Sequence, residues 1–338
     1  MKHLILCLLC CLWGCSQQAP RESSAFENWM KKDGKVKVLS TTAIINDIVC
    51  LVGEERIDAL SLIQGEIDPH SYELVKGDDE KFFVAQAVFY NGLGLEHGAS
   101  LRYQLDHHSQ AVAVGQSILD QNPDQIIRIN GQLDPHVWMD IALWSQIIDP
   151  IVATLSELDP EGRILFEKNG EILRQQMLEK HQQIQAEFQH IPSSLRYLVT
   201  SHDAFNYFAR AYLSAPDEIG ASQWQARFAA PEGLSPDGQL SSSDIQKMIS
   251  YLCLHHIHVV FAESNVSRDS LKKIVSACKR HSLNVEISKD VLYGDAMGGP
   301  DSGADTYLTM IAHNAKVMIT AWDKQGETDE STSQCTAR

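Results

Sequence analysis

Three histidines, His70, His136 and His202, fall at even intervals of 66 residues along the chain. Two of them close copies of one tripeptide, Asp68-Pro69-His70 and Asp134-Pro135-His136, and the third sits in Ser201-His202-Asp203. Neutral imidazole is the commonest biological ligand of borderline divalent metals, and converging ring nitrogens make a zinc- or manganese-type shell that lacks one more ligand. A carboxylate from the second half of the chain would complete it. Asp295 stands in the glycine-rich run Leu292-Tyr293-Gly294-Asp295-Ala296-Met297-Gly298-Gly299, and by chemistry alone Asp301 and Asp305 compete with it. Asp203 and Glu263 also stand at predicted strand ends, where either could orient a ligating histidine from behind. Within Asp-Pro-His, Asp suits a helix cap and Pro the first helical position, so one isolated copy reads as a helix start with an incidental histidine. Two copies and a third histidine at a similar corner favour metal binding.

The elements that must position these side chains follow from the apolar pattern. Each histidine comes after a run that reads as a buried strand and before one that reads as a helix, and such corners are where open α/β sheets bind ligands. Strands are predicted at 35–40, 57–63 and 87–90, with helices at 43–52 and 79–86. Asn91-Gly92-Leu93-Gly94 then makes a turn before a helix starting near Glu96. This alternation implies a largely parallel sheet. Residues 141–190 are almost wholly helical, and the Gln-, Glu- and Leu-rich part between Pro160 and Pro192 could join two lobes. Alternation resumes with strands at 197–200, 258–262 and 284–288 and helices at 204–212 and 269–279. Residues 214–239, rich in Gly, Pro, Ser and Ala, read as an extended loop longer than compact domains carry, and the polar end at 323–338 as a flexible tail.

The first residues point to export. A short basic start precedes an apolar stretch at 4–13, too short to span a bilayer as a helix, so residues 1–15 read as a signal peptide. Leu12-Trp13-Gly14-Cys15 resembles a lipobox, which makes Cys15 the lipid-bearing first residue of an exported, envelope-anchored protein. A plain cleaved signal is the competing reading. Residues 16–35 suit a flexible tether. Of eight cysteines, Cys50, Cys253, Cys278 and Cys335 remain in the body, with no CxxC pair to make a thiolate zinc site. Cys253 and Cys278 could pair, or stay as free thiols. The formal charge of −16 excludes nucleic acid as a partner. A mature body of about 300 residues suffices for two domains.

The runs Asp68-Pro69-His70-Ser71-Tyr72-Glu73, Asn91-Gly92-Leu93-Gly94-Leu95-Glu96, Asp134-Pro135-His136-Val137-Trp138-Met139-Asp140, Ser201-His202-Asp203-Ala204-Phe205-Asn206-Tyr207-Phe208 and Gly294-Asp295-Ala296-Met297-Gly298 resemble, in order, the metal-binding solute-binding lipoproteins of ABC importers of the TroA, ZnuA and PsaA type. Residues 68–78 and Pro231-Glu232-Gly233-Leu234-Ser235-Pro236 resemble the chlamydial YtgA-like branch most closely. The similarity runs over residues 36–321. It implies two α/β lobes with mainly parallel sheets, 36–158 and 191–322, joined by one rigid backbone helix at 159–190, with metal in the cleft between them. It implies His70 and His136 from the first lobe and His202 and Asp295 from the second as ligands, which selects Asp295 over Asp305. Many manganese-selective members carry Glu where this chain has His202, which tilts the cargo toward zinc, with manganese and iron as alternatives; the His- and Asp-rich loop of dedicated zinc members is missing. The resemblance further implies a monomer that hands its metal to a permease and its ATPase, and no enzymatic activity. A secreted zinc hydrolase, with Asp203 as its general base, and an adhesin with a structural metal are the alternatives from other classes. His107, His108, His255, His256 and His258 read as surface or core histidines, Tyr72 and Trp138 as packing at helix starts, and Glu96 as either cleft lining or structural.

Overall fold

A strand buried on both faces must lie inside its sheet, and Val36–Ser40 (β1) is buried at every position. The computed structural model, which describes residues 23–31, 34–220, 222–236 and 240–336, places it between β2 (Ile57–Ser61) and β3 (Ala87–Tyr90), with β4 (Ala111–Ala113) outside β3 and all pairs parallel. Lys37 is buried within β1 and pairs with Asp58, its register partner on β2. The helix Ala43–Gly53 crosses from β1 to β2. Thr42 caps it by accepting the Ile45 N–H, and Ile44, Ile45, Ile48, Val49 and Val52 form its buried face. The helix expected near Glu96 begins at Ala99. Glu96 is instead buried, accepting hydrogen bonds from the Thr41 hydroxyl and the Asn91 and Gly92 N–H groups at 2.8–3.0 Å, which settles its role as structural.

Two segments read from composition as flexible carry structure. Ser23–Trp29, inside the expected tether, is a helix whose last residue is buried and donates from Trp29 Nε1 to Asp58 O at 2.9 Å. The C-terminal helix runs from Tyr307 to Thr336, through the expected tail. Its buried residues Tyr307, Met310, Ile311, Asn314, Met318 and Trp322 follow helical spacing, which the polar composition after Asp323 obscures. The export segment at 1–15 lies outside the described residues.

An antiparallel hairpin, β5 (Arg128–Ile129) and β6 (Gln132–Leu133), leads to Asp134. Helices Ile141–Trp144 and Ile148–Leu158 then precede Arg163–Gln189, whose 27 residues span about 40 Å. Phe166, Gly170, Leu173, Met177, Ile184 and Phe188 form its buried stripe, and Gly170 lets it approach Ile148 and Val152 where any Cβ would collide. This helix is continuous between the two α/β halves.

The second lobe has short strands, β7 (Leu198–Val199), β8 (Phe228–Ala229), β9 (Val259–Val260) and β10 (Glu286–Ile287). β7 pairs with β8 and β9 with β10, both parallel, and the Phe261 N–H donating to Val199 O at 2.8 Å joins the pairs. β8 lies inside the segment expected to be an extended loop, which also contains the helix Pro216–Gly220 and a tight turn of helix at Gln223–Arg227. Glu218 holds Arg227 through two hydrogen bonds of 2.6 and 2.9 Å there. Between the remaining strands lie Ser242–Leu254, which begins with a Ser241/Asp244 capping box, and Asp269–Arg280. Cys253 and Cys278, on these two helices, are free thiols, the first exposed and the second buried. One apolar cluster runs through the linking helix from Val36 to Trp322, so the lobes share a core.

Candidate metal centre

Each candidate histidine is set by a carboxylate that reads its backbone. In the loop after β2, Asp68 Oδ1 accepts the His70 N–H at 2.8 Å and Oδ2 accepts the Ser71 hydroxyl at 2.7 Å. This is an Asx turn; no helix starts until Asp78, so the expected helix cap is absent from the first Asp-Pro-His copy. In the second copy, Asp134 Oδ1 accepts both the His136 N–H at 3.0 Å and Nδ1–H at 2.7 Å, just before the short 3-10 helix Val137–Met139. A proton on Nδ1 leaves the Nε2 lone pair of His136 available. After β7, Glu263 Oε1 accepts the Ser201 and His202 N–H groups at 3.0 and 2.9 Å, and its Oε2 lies 2.6 Å from His202 Nδ1. Asp295 follows Leu292, which bridges to Glu263 in parallel fashion.

The four side chains meet in the interior. Ligand atoms of His70, His136, His202 and Asp295 all lie within 4.8 Å of one another, and all four residues are buried. His70 Nε2 is 3.2 Å from His136 Nε2, and His202 Nε2 is 3.2 Å from Asp295 Oδ2. His136 Nε2 is 3.4 Å from Asp295 Oδ1, and His70 Nε2 3.8 Å from Asp295 Oδ2. A tetrahedral shell with bonds of about 2.0–2.2 Å sets neighbouring ligand atoms about 3.3–3.6 Å apart, so the cluster has the dimensions of such a shell. His202 Nε2 and Asp295 Oδ1 are buried without a hydrogen-bond partner, as expected of atoms arranged to face a cation.

Burial pushes the His70 imidazole down to about 3, which keeps it neutral. Burial alone would depress His202 too, but the carboxylates of Glu263 and Asp295 on either side outweigh it and raise the ring well above its ordinary value. Burial likewise opposes ionisation of Asp295, and the surrounding imidazoles, His202 foremost, hold it well below the usual carboxylate range. The two carboxylates thus favour a proton on His202, while Asp295 favours its ionised form.

The structure also sorts the rival residues. Asp301 and Asp305 are exposed and outside the cluster. Glu263, not Asp203, faces the His202 ring; Asp203 instead accepts from Asn206 Nδ2 at 2.7 Å, and its N–H donates to Gly233 O at 3.1 Å. The orienting role of Asp134 escaped the sequence reading, although its place two residues before His136 was the available signal. Tyr72 does pack a helix start, donating to Asp78 Oδ2 at 2.8 Å. Trp138 does more: its Nε1–H donates at 2.9 Å to Gly294 O, next to Asp295, while its ring stands 5.3 Å from that of His136. His107 stacks on Tyr103 and His255 on Tyr197, away from the cluster.

Gly294 is required by close packing. A Cβ there would fall on Glu263 Oε2 and lie 3.3 Å from His202 Cε1, so Gly294→Ala displaces the carboxylate that orients His202. The expected result is a loss of about 10- to 100-fold in metal affinity in chelator-competition titrations. Gly299→Ala, with nothing within 4 Å of its Cβ, should stay within about twofold of the parent.

Comparison with known proteins agrees with this architecture. A family model, ZnuA, the periplasmic component A of the zinc-uptake complex, matches residues 38–321. The metal-binding protein YtgA of Chlamydia muridarum is 36% identical over 317 residues, 94% of each chain. The manganese-binding lipoprotein MntA of Bacillus subtilis is 31% identical over 293 residues, 86% of this chain and 90% of that one. The crystal structure of Fe(III)-bound YtgA from Chlamydia trachomatis superposes with a TM-score of 0.80 at 36% identity, covering 85% of this chain and 98% of the other. These relatives are metal-binding proteins rather than enzymes, and the two-lobe fold is theirs. The resemblance seen in the sequence motifs therefore holds over the whole body, and the chain belongs to the ZnuA family of periplasmic metal-binding proteins.

Proposed function

We propose that this protein captures one divalent transition-metal ion through His70, His136, His202 and Asp295 and delivers it to the permease and ATPase of an ABC importer. The observation that carries the reading is the convergence of four buried ligand atoms, drawn from both lobes, within 4.8 Å. Two of those atoms lack any hydrogen-bond partner. Three imidazoles and one carboxylate suit zinc first, with iron and manganese as further cargo, and the relatives are named for all three metals. Ligands contributed by both lobes, 36–158 and 191–322, make the bound state the closed one, which is the form a permease could distinguish. A hydrolase would need a spare acid as general base. Asp134 and Glu263 are already engaged with ligating histidines, and Asp203 with Asn206. Export and attachment through a lipid on Cys15, which lies outside the described residues, would tether a monomer beside its transporter.

The test is reconstitution. Permease and ATPase in proteoliposomes should take up zinc when the metal-loaded protein is added outside, with ATP hydrolysis rising together with uptake. Loaded protein that binds metal tightly yet stimulates neither uptake nor ATPase activity would defeat the importer role and leave a metal-binding protein of another purpose.

A further inference from the structure

The segment after His202 crosses to the first lobe and grips the residue that orients His136. Asn206 begins the turn Asn206–Phe208, which widens into a π-helical turn at Ala209–Leu213. Its Nδ2 donates one hydrogen to Asp134 Oδ2 at 3.0 Å and the other to Asp203 Oδ1 at 2.7 Å. The neighbouring Tyr207 hydroxyl donates to Asp134 O and accepts the Ile127 N–H, both at 3.0 Å, and Arg210 donates to Gln125 O at 2.9 Å. These bonds fix the turn against the hairpin that carries Asp134.

We propose that Asn206 is a positioning residue for the metal site, its amide locking Asp134, and through it the ring of His136, to the His202 segment. This rests on the reading of the four residues above as metal ligands. Asp134 is fully buried, and its Oδ1 already takes both N–H groups of His136. Asn206 is the only side-chain donor to Oδ2 among the described residues. Without it, a buried carboxylate oxygen has no donor, and rotation to find one breaks the bond to His136 Nδ1. The two N–H groups of one amide face two carboxylates at once, and an amide turned the other way would point its oxygen at both. The path His202, Asp203, Asn206, Asp134, His136 thus runs behind the site and makes one ligand from each lobe respond to one side chain.

The experiment is a double-mutant cycle on the mature, metal-stripped protein titrated with Zn²⁺ against a chelator. Asn206→Leu, similar in volume and without donors, is expected to lower affinity about 10- to 100-fold. It should also move the NMR signal of the His136 Nδ1 proton, a readout that general loosening elsewhere does not produce. In an Asp134→Asn background the same change should cost less than about twofold more, because Asn206 acts through Asp134. Affinity within twofold of the parent in Asn206→Leu, or losses that simply add in the double variant, overturns the proposal. Should the leucine variant fail to fold, Asn206→Ser, too short to span both carboxylates, enters the same cycle with the same expectations. A parent protein that does not bind zinc tightly removes the ligand assignment itself, and is distinguished from a tight-binding parent that is indifferent to Asn206.

Discussion

Asp295→Ala and His202→Ala should each lower zinc affinity by about 100- to 1000-fold. A four-ligand zinc site is worth about 10–16 kcal/mol in total, so one ligand in four accounts for about 2.5–4 kcal/mol. The loss is of that order because neither residue has a substitute: all four candidate ligand atoms are buried within 4.8 Å of one another, Asp134 and Glu263 are occupied with His136 and His202, and Asp203 with Asn206. Calorimetric titration of the metal-stripped body with Zn²⁺, Mn²⁺ and Fe²⁺ gives one site per chain in the parent and ranks the metals. The thermal stabilisation produced by metal, about 2.7 kcal/mol at a free concentration 100 times the dissociation constant, should fall below about 0.5 kcal/mol in both variants at that same concentration. Asp301→Ala and Asp305→Ala, at exposed positions, should leave both measurements unchanged. Equal affinity in parent and Asp295→Ala would exclude the site.

The second large effect is on pH. The carboxylates of Glu263 and Asp295 raise the pKa of His202 well above its ordinary value, so this ring holds its proton more tightly than a free imidazole, whereas His70, at about 3, is already neutral. Metal can bind His202 only after that proton leaves. With one proton displaced per ion, affinity should fall about tenfold for each unit that pH drops below the raised pKa. The sign for the metal-free fold is the reverse. Stabilisation from the charged His202 is fully present below its ordinary pKa of about 6.5 and is lost as pH rises through the raised value, so acid favours the empty protein over the loaded one. Titrations in buffers of different ionisation enthalpy should show about one proton released per zinc. An affinity that stays level from pH 8 to 5.5, with no proton release, would mean that His202 is neutral before metal arrives.

Glu263 illustrates why part of this site could not be read in advance. Asp203 and Glu263 are both acids at predicted strand ends, and adjacency in sequence favours Asp203 as the partner of His202. The side chain of Asp203 is instead drawn to Asn206, while Glu263 reaches His202 from the end of β9, 61 residues away. Strand alternation within β7 and β9 cannot reveal this, because each has two residues and no measurable period. The same shortness hid β8 within residues 214–239, and β4. Long elements were legible for the opposite reason: Ala43–Gly53 and Arg163–Gln189 repeat their apolar spacing often enough to be recognised, while β3 is a continuous apolar run and β1 and β2 are each interrupted by a single charged residue, Lys37 and Asp58.

The two Asp-Pro-His copies divide local from tertiary information most clearly. Both aspartates accept the N–H of the histidine two residues on, a bond closed within the tripeptide and therefore determined by the sequence itself. The sequence by itself likewise determined the histidines of the candidate site as a recurring set, the parallel α/β halves and the helix between them, because each follows from short-range bonding or from periodic burial. Only the tertiary structure decided that Asp134 grips the ring of its own histidine while Asp68 turns to Ser71, that Glu263 rather than Asp203 backs His202, and that Trp138 and Asn206 tie the lobes together behind the candidate site. Those choices depend on which donors distant segments bring within about 3 Å of one buried oxygen, and no pattern within a single segment encodes such a distance.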